Sequence, residues 1–598
     1  MTTPAVPGLT RHFCTIGARQ VHYRRMGSGP ALIALHRLPR SSRDLLPFIQ
    51  SAAQKFTVIA PDIAGYGSSW QLSRRTPTAN FIPPWRDYVD DIDALAKELG
   101  VKQALLYGEG EGATLAFQLV LRDPKRFAAA ALNNIALLTD VERAEAMKAW
   151  PAFEPHWDGS HLAWLWSYLR EENAFSPWWS KSLATRMEKD MPPPDELQHR
   201  LVQILADGRM AADTVRLPTE SPMTGRQGRG YRVGLLSSLE FRPGAHVLNV
   251  AVPMLFTGAK AFHKHISLAK ASTPSNKCSF KPAASPAEAA DFAVEFLAQH
   301  GARVPPPPPA PAAKPIHGVL WEDFVPVPGG QLHVQMNDDF GTVPLLIQHD
   351  AASSVGTVEP ITRSLIGRRT ILAFDLPGSG ESDNTLPTTA GGYDGIEVSH
   401  YAEVLRSVLE TFGLDKVDFY GMWGGGFVGL DLALMQPTRI RRLVMSNVFQ
   451  HTGAEQKLIQ DNYTPPIEPV WHGGHLAQCW HQMRDQGIYY PWFDRTAQGV
   501  IKREPFIATD MVHERACSLL KAGNMYRTAY QAHFRYPTYD KLKTSPVPTL
   551  VATTKWDPNN PHTEAAAKAA PNAKLRYLDD DFTKWGESFL PFLEEGDR

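Results

Sequence analysis

Cysteine is scarce. Cys14, Cys278, Cys479 and Cys517 are spread over 598 residues with no CxxC and no short spacing, which excludes a disulfide framework and a cysteine-ligated zinc cluster. A reducing, cytoplasmic setting is the expectation. Net charge is also lacking: the formal balance is -1 at pH 7, so the chain carries no global field for nucleic acid or an anionic membrane, and neither is expected as a partner. No apolar run approaches the roughly 20 residues that span a bilayer. The start, MTTPAVPGLTRHF, has neither the basic nor the apolar part of an export signal. GxxxxGK[ST] is missing and no GxGxxG follows a strand in a nucleotide-binding context, so no nucleotide cofactor is expected. Histidines and carboxylates are too scattered for facial-triad or HxxxH spacing, so no metal is expected either.

Proline, by contrast, is concentrated. Residues 301–316, GARVPPPPPAPAAKPI, can form neither helix nor central strand and predict an extended linker. It separates an N-terminal unit, 1–300, from a C-terminal one, 317–598. The two units repeat one another. His36 in ALIALHRLP answers His349 in PLLIQHDAA, Asp62 in APDIAGYGSS answers Asp375 in AFDLPGSGES, and Gly108 answers Gly421, all 313 positions apart. Beyond Asn134 and Asn447 the register slips by one, so that Trp157 answers Trp471 and His161 answers His475. The first half carries an extra segment placed within TVRLPTESPMTGRQGRGYR, which reads as a loop.

Each half alternates short apolar runs (PALIALH, FTVIAPD, QALLYG, FAAAALNN and VPMLFTG in the first) with helix-length amphipathic stretches such as YVDDIDALAKELG. Runs of this length bounded by turn residues predict strands buried on both faces, and the alternation predicts mostly parallel sheets. The fold class is α/β, twice.

The histidine that ends the early strand, the DxxGxGxS turn, the glycine-flanked turn YGEGEGA or YGMWGGG, and the late strand with its loop VATTKWDPNN recur in order in both halves. In this each half resembles an α/β-hydrolase. The resemblance implies two α/β-hydrolase-like domains with helical caps at about 140–245 and 453–540, packed as an intramolecular pseudo-dimer. It also implies that the glycine-flanked turn is the nucleophile elbow, whose following helix aims backbone amides at a developing oxyanion.

The elbow's central residue is Gly110 in one half and Trp423 in the other, and neither can form a covalent intermediate. The family's acid is offered only by Asp557, and its late histidine by neither LRYLDDDFTKWGESFLPFL nor SFKPAASPAEAADFAVEFL. His349, His451, His475 and Asp557 are therefore the candidates for non-covalent acid–base catalysis, and they place activity in the second half. Glu109 and Glu111 flank the empty first elbow, where burial and mutual repulsion raise a carboxyl pKa; the plainer role is to hold a neighbouring loop. His36 either contacts substrate or hydrogen-bonds its own loop. Nine of the fifteen tryptophans lie in residues 150–180 and 471–492, a lid suited to a hydrophobic small molecule. Trp471 and Trp492 are its candidate lining residues, and His161, like His475, stands beside the helical Trp stripe. Trp423 is a stacking platform or a plug. Two functions fit: an enzyme of hydrolase, lyase or isomerase type without a Ser-His-Asp triad, or an inactive pseudo-hydrolase serving as ligand binder or scaffold.

Overall fold

The structure is a computed structural model that describes residues 5–72, 83–150, 155–205, 230–242, 250–272 and 276–595. Most of the segment assigned above to the extra loop of the first half falls outside the described residues. The first half builds one eight-stranded sheet from β1 (Thr10–Ile16), β2 (Arg19–Met26), β3 (Ala31–Leu35), β4 (Thr57–Pro61), β5 (Ala104–Glu109), β6 (Phe127–Asn133), β7 (Met254–Gly258) and β8 (Cys278–Pro282), in the order β1-β2-β4-β3-β5-β6-β7-β8. The second half repeats that order with β9 (Trp321–Val327), β10 (Gly330–Met336), β11 (Leu345–Gln348), β12 (Ile371–Phe374), β13 (Val417–Met422), β14 (Ile440–Ser446), β15 (Thr549–Thr553) and β16 (Ala573–Tyr577). Strands from β4 to β8, and from β12 to β16, run parallel; the leading hairpins β1–β2 and β9–β10 are antiparallel.

The buried runs read from the sequence are the central strands: every residue of β3, β4 and β7 is buried. The hairpins and the last strands β8 and β16 were not among those runs. β8 and β16 lie at the sheet edges and are half exposed, so they carry no continuous apolar signal.

The DxxGxGxS motif is a loop organiser. Asp62 accepts from the backbone N–H of Ser42 (2.7 Å) and Ser68 (2.9 Å) and pairs with His22 (2.7 Å). Asp375 does the same with Val355, Glu381 and His333. A Cβ at Gly67 or Gly380 would strike these carboxylates at 2.1 Å.

The proline run lies against the first half. Its Pro305 carbonyl accepts from Ala31 N–H (3.1 Å), and the carbonyls of Pro308 and Lys314 accept from Arg25 (2.6 Å) and Thr15 (2.5 Å).

Contacts between the halves are reciprocal. Trp166, on the cap helix Ser160–Ala174, donates to the Trp471 carbonyl (2.9 Å), and Trp480, on the cap helix Gly474–Asp485, donates to the Trp157 carbonyl (3.2 Å). His161 meets the Trp480 ring edge-on at 5.0 Å and His475 meets Trp166 at 4.9 Å. Near the hairpins Phe13 stacks on Phe324 at 5.5 Å, and the Gln20 amide exchanges hydrogen bonds with the Glu322 backbone (2.8 and 2.7 Å).

Each cap helix starts at a left-handed glycine, Gly159 (φ 76°) or Gly473 (φ 79°), where a Cβ would stand 2.6 Å from Trp480 or 2.8 Å from Trp166. Gly159→Ala and Gly473→Ala are each expected to cost about 1–3 kcal/mol, by similar amounts because one contact is made twice. Urea denaturation measures this, and two neutral substitutions would contradict the packing.

Candidate active site at the second elbow

Both elbows keep the strained turn of the fold. Gly110 sits between β5 and the helix Glu111–Arg122 at φ 58°, ψ -119°, and Trp423 sits between β13 and the helix Gly424–Met435 at φ 47°, ψ -120°. Trp423 holds an angle that costs a side-chain-bearing residue of order 1–3 kcal/mol. The glycines around it allow strand and helix to touch: a Cβ at Gly425 would lie 2.6 Å from the carbonyls of Gln348 and His349.

Two backbone N–H groups flank each elbow, those of Leu38 and Glu111 in the first half and of Ala351 and Gly424 in the second. In each half a carboxylate of the chain itself is seated on them. Glu111 folds back to accept from Leu38 N–H at 3.0 Å and from its own amide. Asp350 accepts from Gly424 N–H at 3.0 Å and from Ala351 N–H. The same amide pair is filled from opposite sides, by the residue after the elbow in one half and the residue after the strand histidine in the other.

Their surroundings differ. In the first half Arg37 pairs with Glu172 (3.3 Å), Arg40 pairs with Glu172 and with Asp44 (3.1 Å), and Tyr168 donates to Glu172 (2.7 Å). This cluster, drawn from the loop after β3 and the cap, fills the space beside Gly110 with paired charge; the Cβ of Arg37 would lie 3.0 Å from a Cβ added at Gly110. Burial raises Glu109 and Glu111 above the ordinary carboxylate range, with Arg37 opposing in both cases.

In the second half the residue opposite Arg37 is Asp350 itself. Its Oδ2 receives a long 3.4 Å hydrogen bond from Tyr530, and Tyr463 packs edge-on against Tyr530 at 5.3 Å. The His533 ring lies on the Cα of Gly424, with Nδ1 3.7 Å from Asp350 Oδ1 and no hydrogen-bond partner on either nitrogen among the described residues. Burial pushes Asp350 up to about 7, only partly offset by its amide donors, Tyr530 and Arg515. The same cause drives His533 down to about 3, leaving it neutral. Asp557, after β15, is pushed up to about 6 by burial while accepting from Asn559 N–H (2.7 Å) and the Trp423 side chain. Two carboxyl groups raised by burial toward neutrality thus stand by the elbow, an arrangement suited to acid–base work. The Asp350 side chain is 13% exposed, so solvent reaches it.

Other expected residues take different places. His36 and His349 spend both ring nitrogens on backbone: each accepts an N–H (Ile63 at 2.8 Å, Leu376 at 3.0 Å) and donates to the next residue's carbonyl (2.9 and 2.6 Å). His349 therefore has no nitrogen left for a substrate. His475 and His161 turn to the opposite half, to Gln198 (2.9 Å) and His513 (3.0 Å), instead of to an elbow. Trp471 is 39% exposed, with the Arg170 guanidinium over its ring. Trp492 is buried behind Tyr463, donating to its carbonyl at 2.9 Å. His451 lies outside the elbow but is linked to it: its Nε2 meets the Tyr490 hydroxyl (3.2 Å), which donates to Asn559 (2.9 Å), the neighbour of Asp557. Sequence reasoning missed Asp350, Tyr463, Tyr530 and His533. Asp350 was adjacent to the chosen His349, and Tyr530 and His533 share a face of the helix Met525–Phe534 at i, i+3.

The family model described as alpha/beta hydrolase fold matches residues 30–210 and 345–465, together just over half of the chain, and the chain belongs to that family. Over 109 residues it is 33% identical to a soluble epoxide hydrolase of Corynebacterium sp., a stretch that is 18% of this chain and 36% of that one. Over 154 residues it is 26% identical to a fluoroacetate dehalogenase of Burkholderia sp, covering 25% and 48%. The chain thus spans less than half the length of these curated relatives. A hydrolase structure from Pseudomonas aeruginosa covers 46% of this chain and 96% of its own at 20% identity and a TM-score of 0.34. An enol-lactonase structure from Burkholderia xenovorans covers 46% and 97% at 17% identity and 0.34. No helix among the described residues is long and apolar enough to cross a membrane.

Asp350 keeps its proton to about pH 7 in the folded chain, against about 4 for a free carboxyl. The folded state therefore binds more protons across that window, and stability falls as pH rises through it. Asp350→Asn removes this slope. The variant is expected to gain on the order of 4 kcal/mol over the wild type between pH 4 and pH 8, read by denaturant midpoints at both values; a pH-independent difference would show that Asp350 is ionised throughout.

Proposed function

We propose that the second half is the catalytic one. It is an α/β-hydrolase-fold enzyme without a Ser, Cys or Asp nucleophile at the elbow, working by non-covalent acid–base chemistry on a hydrophobic small molecule. The observation that carries this reading is Asp350: a carboxyl raised to about 7, seated on the amide pair beside Trp423 with its side chain 13% exposed. Near neutral pH such a group is in good part ionised yet more basic than an ordinary carboxylate, which suits it to general-base removal of a proton from water or a carbon acid in the transition state. Asp557, raised to about 6, accepts from the Trp423 side chain and holds the indole at the elbow. The curated relatives are named for hydrolysis of epoxides and for dehalogenation, which favours direct attack by activated water; a lyase or isomerase step would use the same base. Trp423, Tyr463 and Tyr530 give the site aromatic walls for an apolar substrate.

We read the first half as the supporting partner. Its amide pair is filled by Glu111 and its elbow by the ion pairs of Arg37, Arg40 and Glu172, which favours a pseudo-hydrolase role for that half. The reciprocal Trp166–Trp471 and Trp480–Trp157 contacts support a duplicated unit packed as an intramolecular pseudo-dimer, with the first half's cap bracing the second's.

A fluorophosphonate probe is expected not to label the protein. In a screen of aryl esters, epoxides and haloalkanes, any turnover found should rise with pH through about 7. It should fall by about 100-fold or more in Asp350→Asn and stay within a few-fold in Glu111→Gln. Stoichiometric labelling, or loss of turnover in Glu111→Gln with Asp350→Asn unaffected, would overturn the assignment.

A further inference from the structure

Folding brings a distant histidine to a pair that the sequence already holds four residues apart. His451 follows β14, Glu455 lies in the first turn of the cap helix Gly453–Asn462, and His562 lies in the helix Asn560–Ala569 after β15. One donor atom of each stands within 4.8 Å of the other two. His451 Nδ1 is 3.0 Å and His562 Nε2 3.8 Å from the same oxygen, Glu455 Oε1. No HxxxH spacing announces this set, because the second histidine arrives from the far side of β15.

The hydrogen bonds around the cluster fix which nitrogen each ring presents. The Tyr490 hydroxyl donates to Asn559 Oδ1 at 2.9 Å, so it accepts from His451 Nε2–H at 3.2 Å. The Tyr539 hydroxyl donates to the His562 carbonyl at 3.3 Å, so it accepts from His562 Nδ1–H at 3.3 Å. Both imidazoles therefore hold their protons on the outer nitrogen and turn a lone pair toward the carboxylate. Three possible ligand atoms converge, and His451 Nδ1, 3.0 Å from Glu455 Oε1, belongs to a buried side chain. A metal-binding histidine usually donates its outer N–H to a carboxylate, a carbonyl or water, and here a tyrosine hydroxyl stands at that nitrogen of each ring.

The first half shows what the same position does when it is filled from within. Thr139 caps its first cap helix as Thr452 precedes the second, which sets Glu142 opposite Glu455. Glu142 is held by the Lys264 ammonium at 2.5 Å. The second half has two histidine lone pairs near its glutamate where the first half has a lysine cation.

We propose that His451, Glu455 and His562 form a binding site for a divalent first-row transition ion of zinc type. Two imidazoles and one carboxylate are the ligand set of a three-coordinate protein site that leaves a position for water. Donors at about 2.0–2.1 Å from such an ion stand about 3.3 Å apart around a tetrahedron, so the partly exposed His562 needs only a small inward movement. The ion would clip the first cap helix to the carboxyl end of the second sheet. It would also lie one tyrosine and one asparagine away from Asp557.

Chelator-treated full-length protein titrated with cobalt(II) is expected to bind one equivalent with the intense visible absorption of a low-coordinate nitrogen–oxygen site, and zinc(II) should abolish that spectrum. Glu455→Gln and His562→Gln change exposed or partly exposed residues, and circular dichroism checks that both variants fold. Each should weaken cobalt affinity by at least about 10-fold, with Tyr539→Phe producing a smaller loss in the same direction. Absence of binding in the wild type, or unchanged stoichiometry and affinity in both ligand variants, would overturn the site.

Discussion

Two backbone N–H groups beside each elbow must be satisfied, and the chain satisfies them with its own carboxylates. One of each pair opens the helix after the elbow and has no intrahelical partner; the other lies in the loop that follows the early strand. Left empty in a half-buried site they would cost more than a net hydrogen bond returns. Glu111 closes the pair in the first half and Asp350 in the second. The exchange of positions matters because it sets the charge opposite: Arg37 stands in the first half where Asp350 stands in the second. In the first half Arg37 and Arg40 are taken up by Glu172 and Asp44, and burial still raises Glu111. In the second half burial outweighs the amide donors, Tyr530 and Arg515, and pushes Asp350 up to about 7.

The rest of the second site follows from that asymmetry. A neutral or singly charged Asp350 tolerates the apolar company of Tyr463, Tyr530 and His533, whose ring can approach only because Gly424 has no side chain. Trp423 occupies the strained turn and ties it to Asp557. The cap that carries the tyrosines meets the other half through the Trp166 and Trp480 hydrogen bonds.

Much of the fold could be read from the sequence because it rests on patterns of short range. The apolar runs of β3 and β5, the DxxGxGxS turns and the glycine spacing of the elbows each state their own geometry, and their repetition removes ambiguity. The edge strands β8 and β16 were not legible, since half-exposed edges carry no such run. The site was legible only in part. The elbow positions Gly110 and Trp423 and the place of Asp557 after the late strand were legible, because each is fixed by neighbours in sequence. His349 and His36 drew attention as histidines at a strand end, yet both are consumed by backbone hydrogen bonds, which a sequence does not display. His161 and His475 were read at the right helical angle but toward the wrong neighbour, because the opposite half covers that face. Asp350, Tyr530 and His533 converge from the loop after β11 and the late cap helix, and the pairing of His451 and Glu455 with His562 depends on a crossing of β15. Such convergences are tertiary, and residue spacing does not encode them.

The protonation of one carboxyl near the second elbow decides between an acid–base site and a filled, inert one. Infrared difference spectra between wild type and Asp350→Asn, recorded across pH, isolate the carboxyl stretch of that residue. A protonated-carboxyl band that persists past pH 6 and disappears with a midpoint near about 7 is the expected result. A midpoint near the free-carboxyl value of about 4 would contradict it, and with it the assignment of Asp350 as the base.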